Sequence, residues 1–234
     1  MKDAHVHITR LPHFLKTATI LNSKGYSAVS SACAAWEWPA LESLIPVFKD
    51  LTLAFGVHPA EIGPNIKADL ETWRLYIENH PKSWVGEAGI DKRFSGYAPG
   101  EAQEIIFSAQ AKVALEYKRP LVIHCVGDYL RVFKILSSLG FPAQDSPIHF
   151  HRFQPKLTLL DLIIDWDCFI SLHSDSFRSK DMGTFLAQMP KNRIGIETDA
   201  DESFAKPDTP PEAVAAKLLL ELEKTKALLE KYSK

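Results

Sequence analysis

The stretch Asp3-Ala4-His5-Val6-His7-Ile8 reads as a short β-strand carrying two histidines one residue apart. In an extended chain successive side chains alternate faces, so His5 and His7 project together while Ala4 and Val6 face the other way, toward whatever packs behind the strand. Two neutral imidazoles side by side suit a divalent transition metal. If this strand opens a parallel barrel, its histidines stand at the mouth, and the rest of the chain should supply matching strands whose C-terminal ends add ligands.

Outward from that stretch, runs rich in β-branched and apolar residues alternate with amphipathic ones. The strands read as Asp3–Ile8, Tyr26–Cys33, Leu51–His58, Ser83–Ile90, Pro120–Cys125, Ser146–His151, Cys168–His173 and Arg193–Asp199. Helices fall near Pro12–Ser23, Pro39–Phe48, Ala68–Asn79, Glu101–Tyr117, Asp128–Leu139, Lys156–Ile164, Ser179–Gln188 and Pro210–Lys231. Eight of each predict an α/β fold, a TIM (β/α)8 barrel, as a single domain over residues 1–234. Gly25 and Gly140 stand where helices should stop, and Pro39, Pro99 and Pro210 precede or open helices. In the longest early helix Ile105, Ala109 and Val113 fall on one stripe, with Ile106 and Phe107 nearby. Ser95–Gly100, with two glycines and a proline, reads as a loop.

Composition narrows the function classes. The chain of 234 residues is 46% hydrophobic and 24% charged, as in an ordinary globular protein. No apolar run approaches the roughly 18 residues of a membrane span, and the N-terminus lacks a signal-peptide layout, so no membrane association and a cytoplasmic location are expected. A formal net charge of −2 argues against indiscriminate polyanion binding, although a local basic patch remains compatible with it. The Lys217–Lys234 tail is balanced by glutamates and reads as a solvated helix face. Cys33, Cys125 and Cys168 form no CxxC pair and read as buried thiols. No obligate protein partner is implied.

The strand ends collect the chemistry. His5 and His7 end the first, His58 the third, His124 the fifth, His149 and His151 the sixth, His173 the seventh and Asp199 the eighth, while Glu87 lies in the fourth. Of nine histidines only His13 and His80 fall elsewhere. Imidazoles and carboxylates without a thiolate cage make the composition of a catalytic metal site rather than a structural one. Glu87, beside small residues, has room to bridge two cations.

Read together, these motifs resemble the TatD family of metal-dependent deoxyribonucleases, within the amidohydrolase-like TIM barrels. The likeness rests on Asp3-Ala4-His5-Val6-His7, Gly56-Val57-His58-Pro59, Gly86-Glu87-Ala88-Gly89-Ile90-Asp91, Pro120-Leu121-Val122-Ile123-His124 and Ile196-Glu197-Thr198-Asp199-Ala200, in that order, with Gln103, Phe107 and Gln110 on an intervening helix. It implies a shell of His5, His7, Glu87, His124, a sixth-strand histidine and Asp199 around divalent metal ions, two in number, of Mg, Mn or Zn. Parity leaves His149 and His151 equivalent; the family's H-x-F fits His151-Arg152-Phe153. In this reading His5, His7 and Asp199 hold one cation, His124 and His151 the other, and Glu87 lies between. A metal-bound hydroxide attacks phosphorus, with Asp199 as general base and Glu87 and Asp199 as the catalytic carboxylates. The implied substrate is DNA or a small phosphodiester, and His58, Arg93 and Arg152 are candidates to hold it. The sequence departs from the family at Ala60, Val126 and Asp201, in place of a histidine, an arginine and a proline.

Two other readings use the same residues. The centre could serve an amide, ester or lactone, which a rim poor in Arg and Lys would favour. It could also belong to a catalytically weak barrel acting as a binding or scaffold protein, which the intact ligand set argues against. Asp91 and Glu197 read as supporting carboxylates, His173 as a polar rim residue, Arg178 as a further phosphate-clamp candidate, and Trp36 and Trp38 as loop packing with base stacking as the alternative.

Overall fold

In the computed structural model, which describes residues 1–93 and 96–232, eight strands pair side by side in sequence order, every pair parallel. They are β1 (Lys2–Val6), β2 (Ser27–Ala32), β3 (Leu51–Phe55), β4 (Trp84–Asp91), β5 (Leu121–Val126), β6 (Ile148–Phe150), β7 (Phe169–Leu172) and β8 (Ile194–Ile196). Helices α1 (Phe14–Ser23), α2 (Trp38–Glu42), α3 (Ile66–Asn79), α4 (Gly100–Glu116), α5 (Tyr129–Leu139), α6 (Leu160–Asp165), α7 (Met182–Gln188) and α8 (Pro211–Tyr232) follow the strands in turn. This is the expected TIM barrel. Ser95, in the expected loop, and residues 233 and 234, in the expected tail, lie outside the described residues.

Backbone bonds from the segment after β8 close the barrel onto β1. The N–H of Asp199 donates to the carbonyl of His5 (3.0 Å) and that of His7 to the carbonyl of Ala200 (2.9 Å). The buried Asp3 carboxylate completes the seam by accepting from the Thr198 N–H (3.1 Å) and hydroxyl (2.6 Å). Burial pushes the Asp3 carboxyl up to about 7, against the pull of these bonds.

The pleat separates two cores. Outward-facing Val6, Phe55, Val85, Leu121, Ile123 and Phe150 pack with helix residues such as Trp38, Trp73, Phe107 and Leu136. Inward-facing Val29, Ala54 and Val122 fill the barrel with Trp84. Ala4, expected to face outward with Val6, does not. The β1–β2 register slips between Asp3 and Val6, a bulge that breaks strict alternation, and Ala4 lines the foot of the barrel beside Trp84, His149 and Phe169.

Several boundaries moved for local reasons. The expected helix Pro39–Phe48 stops at Glu42, because Pro46 has no N–H to donate four residues back. In α4 the buried face is Gln103, Ile106, Phe107, Gln110 and Ala114, at helical spacing, whereas Ile105 of the expected stripe is exposed. Among the described residues no helix is long and apolar enough to cross a membrane.

Candidate metal centre

The alternation that fills the lower barrel with apolar side chains lifts polar ones into the mouth. Two residues beyond Val122 is His124, and two beyond His149 is His151. His124, His151, His5 and His7 converge on Glu87, whose carboxylate is 2% exposed. Its two oxygens face different partners. Oε2 lies 3.2 Å from Nε2 of both His5 and His7, and Oε1 lies 2.6 Å from His124 Nδ1 and 2.6 Å from His151 Nε2. Asp199 Oδ1 stands 3.6 Å from both His5 and His7 Nε2 and 3.8 Å from His151 Nδ1. The six residues of the expected shell are thus together. His58 joins them, with Nε2 3.7 Å from Glu87 Oε1.

The two sixth-strand histidines stand at different heights in the barrel. His151 meets Glu87, whereas His149 lies one pleat lower, its Nε2 2.6 Å from the Ser171 hydroxyl. That hydroxyl donates in turn to Glu197. Glu197 accepts from the Arg152 N–H at 2.6 Å and stands 3.6 Å from His151 Nδ1. Asp91 supports the other side: its Oδ2 is 3.0 Å from His124 Nε2, which turns Nδ1 of that ring toward Glu87. Arg152 and Asp199 both adopt left-handed backbone, φ 42° and φ 47°, at the ends of β6 and β8.

Glycine is required where the ligand strands meet. A Cβ on Gly56 would stand 2.5 Å from the carbonyl carbon of Gly86, and one on Gly89 would stand 1.8 Å from the His124 carbonyl oxygen. Buried glutamines of α4 then hold the strand exits. Gln110 accepts from the Val57 N–H (2.7 Å) and donates to its carbonyl (3.0 Å), beside His58. Gln103 does the same for Asp91, at 2.8 Å and 3.1 Å.

Electrostatics splits the imidazoles. Burial, helped by His151, keeps His5 below its ordinary pKa, and burial with His124 does the same to His58. Burial also works against charge on His151, but the Glu87 carboxylate and the nearby Glu197 and Asp199 carboxylates overcome it and raise that ring to about 10. His7 and His124 are likewise raised against burial, the first by Cys33, Asp199 and Glu87, the second by Asp91 and Glu87. Burial opposes the charges on Glu87 and Asp199, yet the surrounding imidazoles hold both carboxyls well below the usual range.

Sequence reasoning missed two residues here. Cys33, at the exit of β2, puts its thiol 3.7 Å from Glu87 Oε2 and 3.9 Å from His7 Nδ1; burial and Glu87 push it up to about 12. Its position just past a strand end was the available signal. Arg10 lies in a 3-10 turn (Ile8–Arg10) directly after His7 and also lines the mouth. The expected clamps have carboxylate partners: Arg93 grips Asp91 at 2.7 Å, and Arg152 reaches Asp175 at 2.7 Å and Asp199 at 2.8 Å. His173 caps the following turn and sits 2.9 Å from Asp175, outside the cluster. Trp38 is buried and donates to the Gly56 carbonyl, and Trp36 is exposed.

The cluster opens into a cleft of about 330 Å³ that continues past Arg152 into a groove of about 470 Å³. A larger cavity of about 630 Å³ lies at the opposite end of the barrel, among residues from the strands' N-terminal ends. The donor chemistry fits divalent cations. Imidazole nitrogens approach one another at 3.2 Å in two pairs, His5 with His7 and His124 with His151, each pair sharing one Glu87 oxygen. Among the described residues, buried His151 Nδ1 has no hydrogen-bond partner. The groups His5–His7–Asp199, His5–Glu87–His151 and His58–Glu87–His124 each bring their ligand atoms within 4.8 Å of one another.

A TIM barrel with imidazoles and carboxylates gathered at the C-terminal mouth has the architecture of the metal-dependent hydrolases. Within that class the chain belongs to the TatD related DNase family, whose model matches residues 2–228. It is 29% identical over 158 residues to the human 3'-5' RNA nuclease TATDN2, a match covering 63% of this chain and 20% of that protein. It is 27% identical over 152 residues to the 3'-5' ssDNA/RNA exonuclease TatD of Pectobacterium atrosepticum, covering 62% of this chain and 56% of that one. The matches thus span between a fifth and rather more than half of these relatives. Among solved structures, the Escherichia coli TatD homolog YJJV shares the fold with a TM-score of 0.74 at 19% identity, covering 96% of this chain and 97% of that one. A TatD family hydrolase from Entamoeba histolytica does so with a TM-score of 0.75 at 16% identity, over 99% and 94%.

Proposed function

We propose that residues 1–234 form one hydrolase barrel that cleaves phosphodiester bonds of single-stranded nucleic acid, DNA first, from the 3' end. The observation that carries this reading is the division of Glu87, one oxygen toward His5 and His7 and the other toward His124 and His151. His5, His7 and Asp199 would hold one divalent cation, His124 and His151 the other, with Glu87 common to both. When bound, such cations, whether Mg, Mn or Zn, acidify water and neutralise charge on phosphoryl oxygens.

The chain's own residues supply the rest. Asp91 fixes the ring of His124, so its nitrogen toward Glu87 needs little reorganisation, and Glu197 stands 3.6 Å behind the ring of His151. Asp199, ionised at neutral pH, accepts the proton of the attacking water at Oδ1, while its Oδ2 is held by Arg152 at 2.8 Å. Arg93 and Arg152 line the cleft and the groove, and Lys156 and Arg178 extend the groove. Arg93 and Arg152 are offset by Asp91, Asp175 and Asp199, so Lys156 and Arg178 are the cations that would stand in for the arginine the family carries at Val126 and favour phosphate over the carbonyl substrates of related barrels. The names of the curated relatives, a 3'-5' RNA nuclease and a 3'-5' ssDNA/RNA exonuclease, support the same substrate class and direction.

Purified protein with Mn²⁺ or Mg²⁺ is expected to hydrolyse a generic bis-aryl phosphodiester and to shorten single-stranded DNA. Chelation should abolish both, and Asp199→Ala should do so with the circular dichroism spectrum unchanged. Equal rates in wild type and Asp199→Ala, or turnover confined to amides, esters or lactones, would sink this reading.

A further inference from the structure

The walls of the cleft differ in charge. On one side Arg93, Arg152, Lys156 and Arg178 lead out along the groove, with Asp175 held among them by Arg152. On the other stand Glu61, Asp201 and Glu202, together with Arg10. Arg10 is held among the acids of this wall: Nε donates to Glu37 Oε1 at 2.9 Å, Nη2 to Glu37 Oε2 at 2.8 Å and Glu61 Oε1 at 2.9 Å, and Nη1 reaches Glu202 Oε2 at 3.5 Å. Glu37 is itself buried and accepts from the Cys33 N–H and the Thr9 hydroxyl. The guanidinium is thereby a fixed plate, and the Trp36 ring lies against it, 5.5 Å from ring centroid to Cζ. Trp36 remains 62% exposed, beside the Arg10 that lines the cleft.

A single exposed tryptophan is ordinary. Here it is braced by a pinned cation and stands on the wall where phosphate is least welcome. An aromatic face of that kind takes a nucleobase of any sequence. Its acidic neighbours repel any further phosphate and can accept hydroxyl hydrogens. The opposite wall suits a polyanionic chain.

We propose that the cleft is polarised. The terminal nucleoside, carrying a free 3'-hydroxyl, stacks on Trp36 beside the Glu61–Asp201–Glu202 wall, and the remaining phosphodiester chain runs along Arg152, Lys156 and Arg178. The inference rests on the nuclease reading above and deepens it: the protein removes terminal nucleotides because the acidic wall rejects a continuing strand. A 3'-phosphate is rejected for the same reason.

The test uses single-stranded oligonucleotides ending in 3'-hydroxyl or 3'-phosphate, with Mn²⁺, and the variants Trp36→Ala, Trp36→Phe and Asp201→Asn/Glu202→Gln. Wild type should cut the 3'-hydroxyl strand at least about tenfold faster. Losing one base stack in Trp36→Ala should raise KM about tenfold with kcat nearly unchanged, and Trp36→Phe should restore most of it. The double variant should narrow the discrimination against 3'-phosphate. Binding of the same strands to Asp199→Ala protein, with and without Trp36→Ala, reads the stack without turnover. An unchanged KM and unchanged binding on removing Trp36, or equal cutting of the two ends by wild type, overturns the inference while the nuclease reading stands. Failure of wild type to cut or bind any strand overturns both.

Discussion

Glu87→Gln removes one negative charge and almost no volume at the point where four imidazoles converge. Its carboxylate is buried, 3.2 Å from His5 and His7 and 2.6 Å from His124 and His151. At an effective dielectric of about 20, a unit charge about 3 Å away contributes about 5 kcal/mol before desolvation is subtracted. Breaking one member of a buried pair costs about 3–5 kcal/mol net. In the proposed two-cation centre that loss would fall on metal affinity, and 3 kcal/mol is roughly a 150-fold weaker Kd. If one carboxylate serves two positions, as proposed, both should weaken and the stoichiometry at micromolar metal should drop from two to one or none. Isothermal titration of chelator-stripped protein with Mn²⁺ or Zn²⁺ reads this directly, with circular dichroism as the check on folding. Stability of the stripped protein should change much less, because His151 relaxes from about 10 toward its ordinary 6.5 and sheds its charge once Glu87 is neutral. Two cations bound by Glu87→Gln, each within about threefold of the wild-type Kd, would refute the shared-carboxylate reasoning.

Three further outcomes follow from the same geometry. Because His151 is raised to about 10, cations compete with protons, so metal affinity should climb between about pH 6 and about pH 9 with proton release on binding. By the same sign, the stripped protein should lose that proton's stabilising contribution as pH rises from 6.5 through about 10. Titrations in buffers of different ionisation enthalpy test the release, and a pH-independent Kd contradicts it. Gln110→Leu leaves both the N–H and the carbonyl of buried Val57 unpaired and should cost about 2–5 kcal/mol in urea unfolding; a change under about 0.5 kcal/mol would show that α4 does not hold this exit. Gly89→Ala places a Cβ 1.8 Å from the His124 carbonyl oxygen and should lower the Tm steeply or yield insoluble protein. A wild-type Tm would contradict that contact.

The elements most legible in the sequence were those whose pattern is local. β5 reads as an apolar run ending in His124, and α5 ends at Gly140 in left-handed conformation as a helix stop should. β8 was harder: only Ile194–Ile196 forms strand where Arg193–Asp199 was expected. The N–H groups of Thr198 and Asp199 are taken by Asp3 and His5, partners almost the whole chain away. The bulge that turns Ala4 into the barrel depends on register with β2 and leaves no mark in the alternation of β1 itself. Ligand types recurring at strand ends marked out the mouth, and the likeness to the TatD family singled out His5, His7, Glu87, His124, His151 and Asp199 as the expected shell. Cys33 was not, since a lone cysteine has no spacing signal. The pairing of Arg10 with Glu37, Glu61 and Trp36 joins three loops that only the closed barrel brings together.

The central claim is that Glu87 joins two cations at the barrel mouth, and anomalous diffraction from crystals grown with Mn²⁺ tests it most directly. Two peaks about 3.5–4 Å apart are predicted, with the Glu87 carboxylate between them, one peak on His5, His7 and Asp199 and the other on His124 and His151. A single peak, or a pair that Glu87 does not touch, would contradict the account.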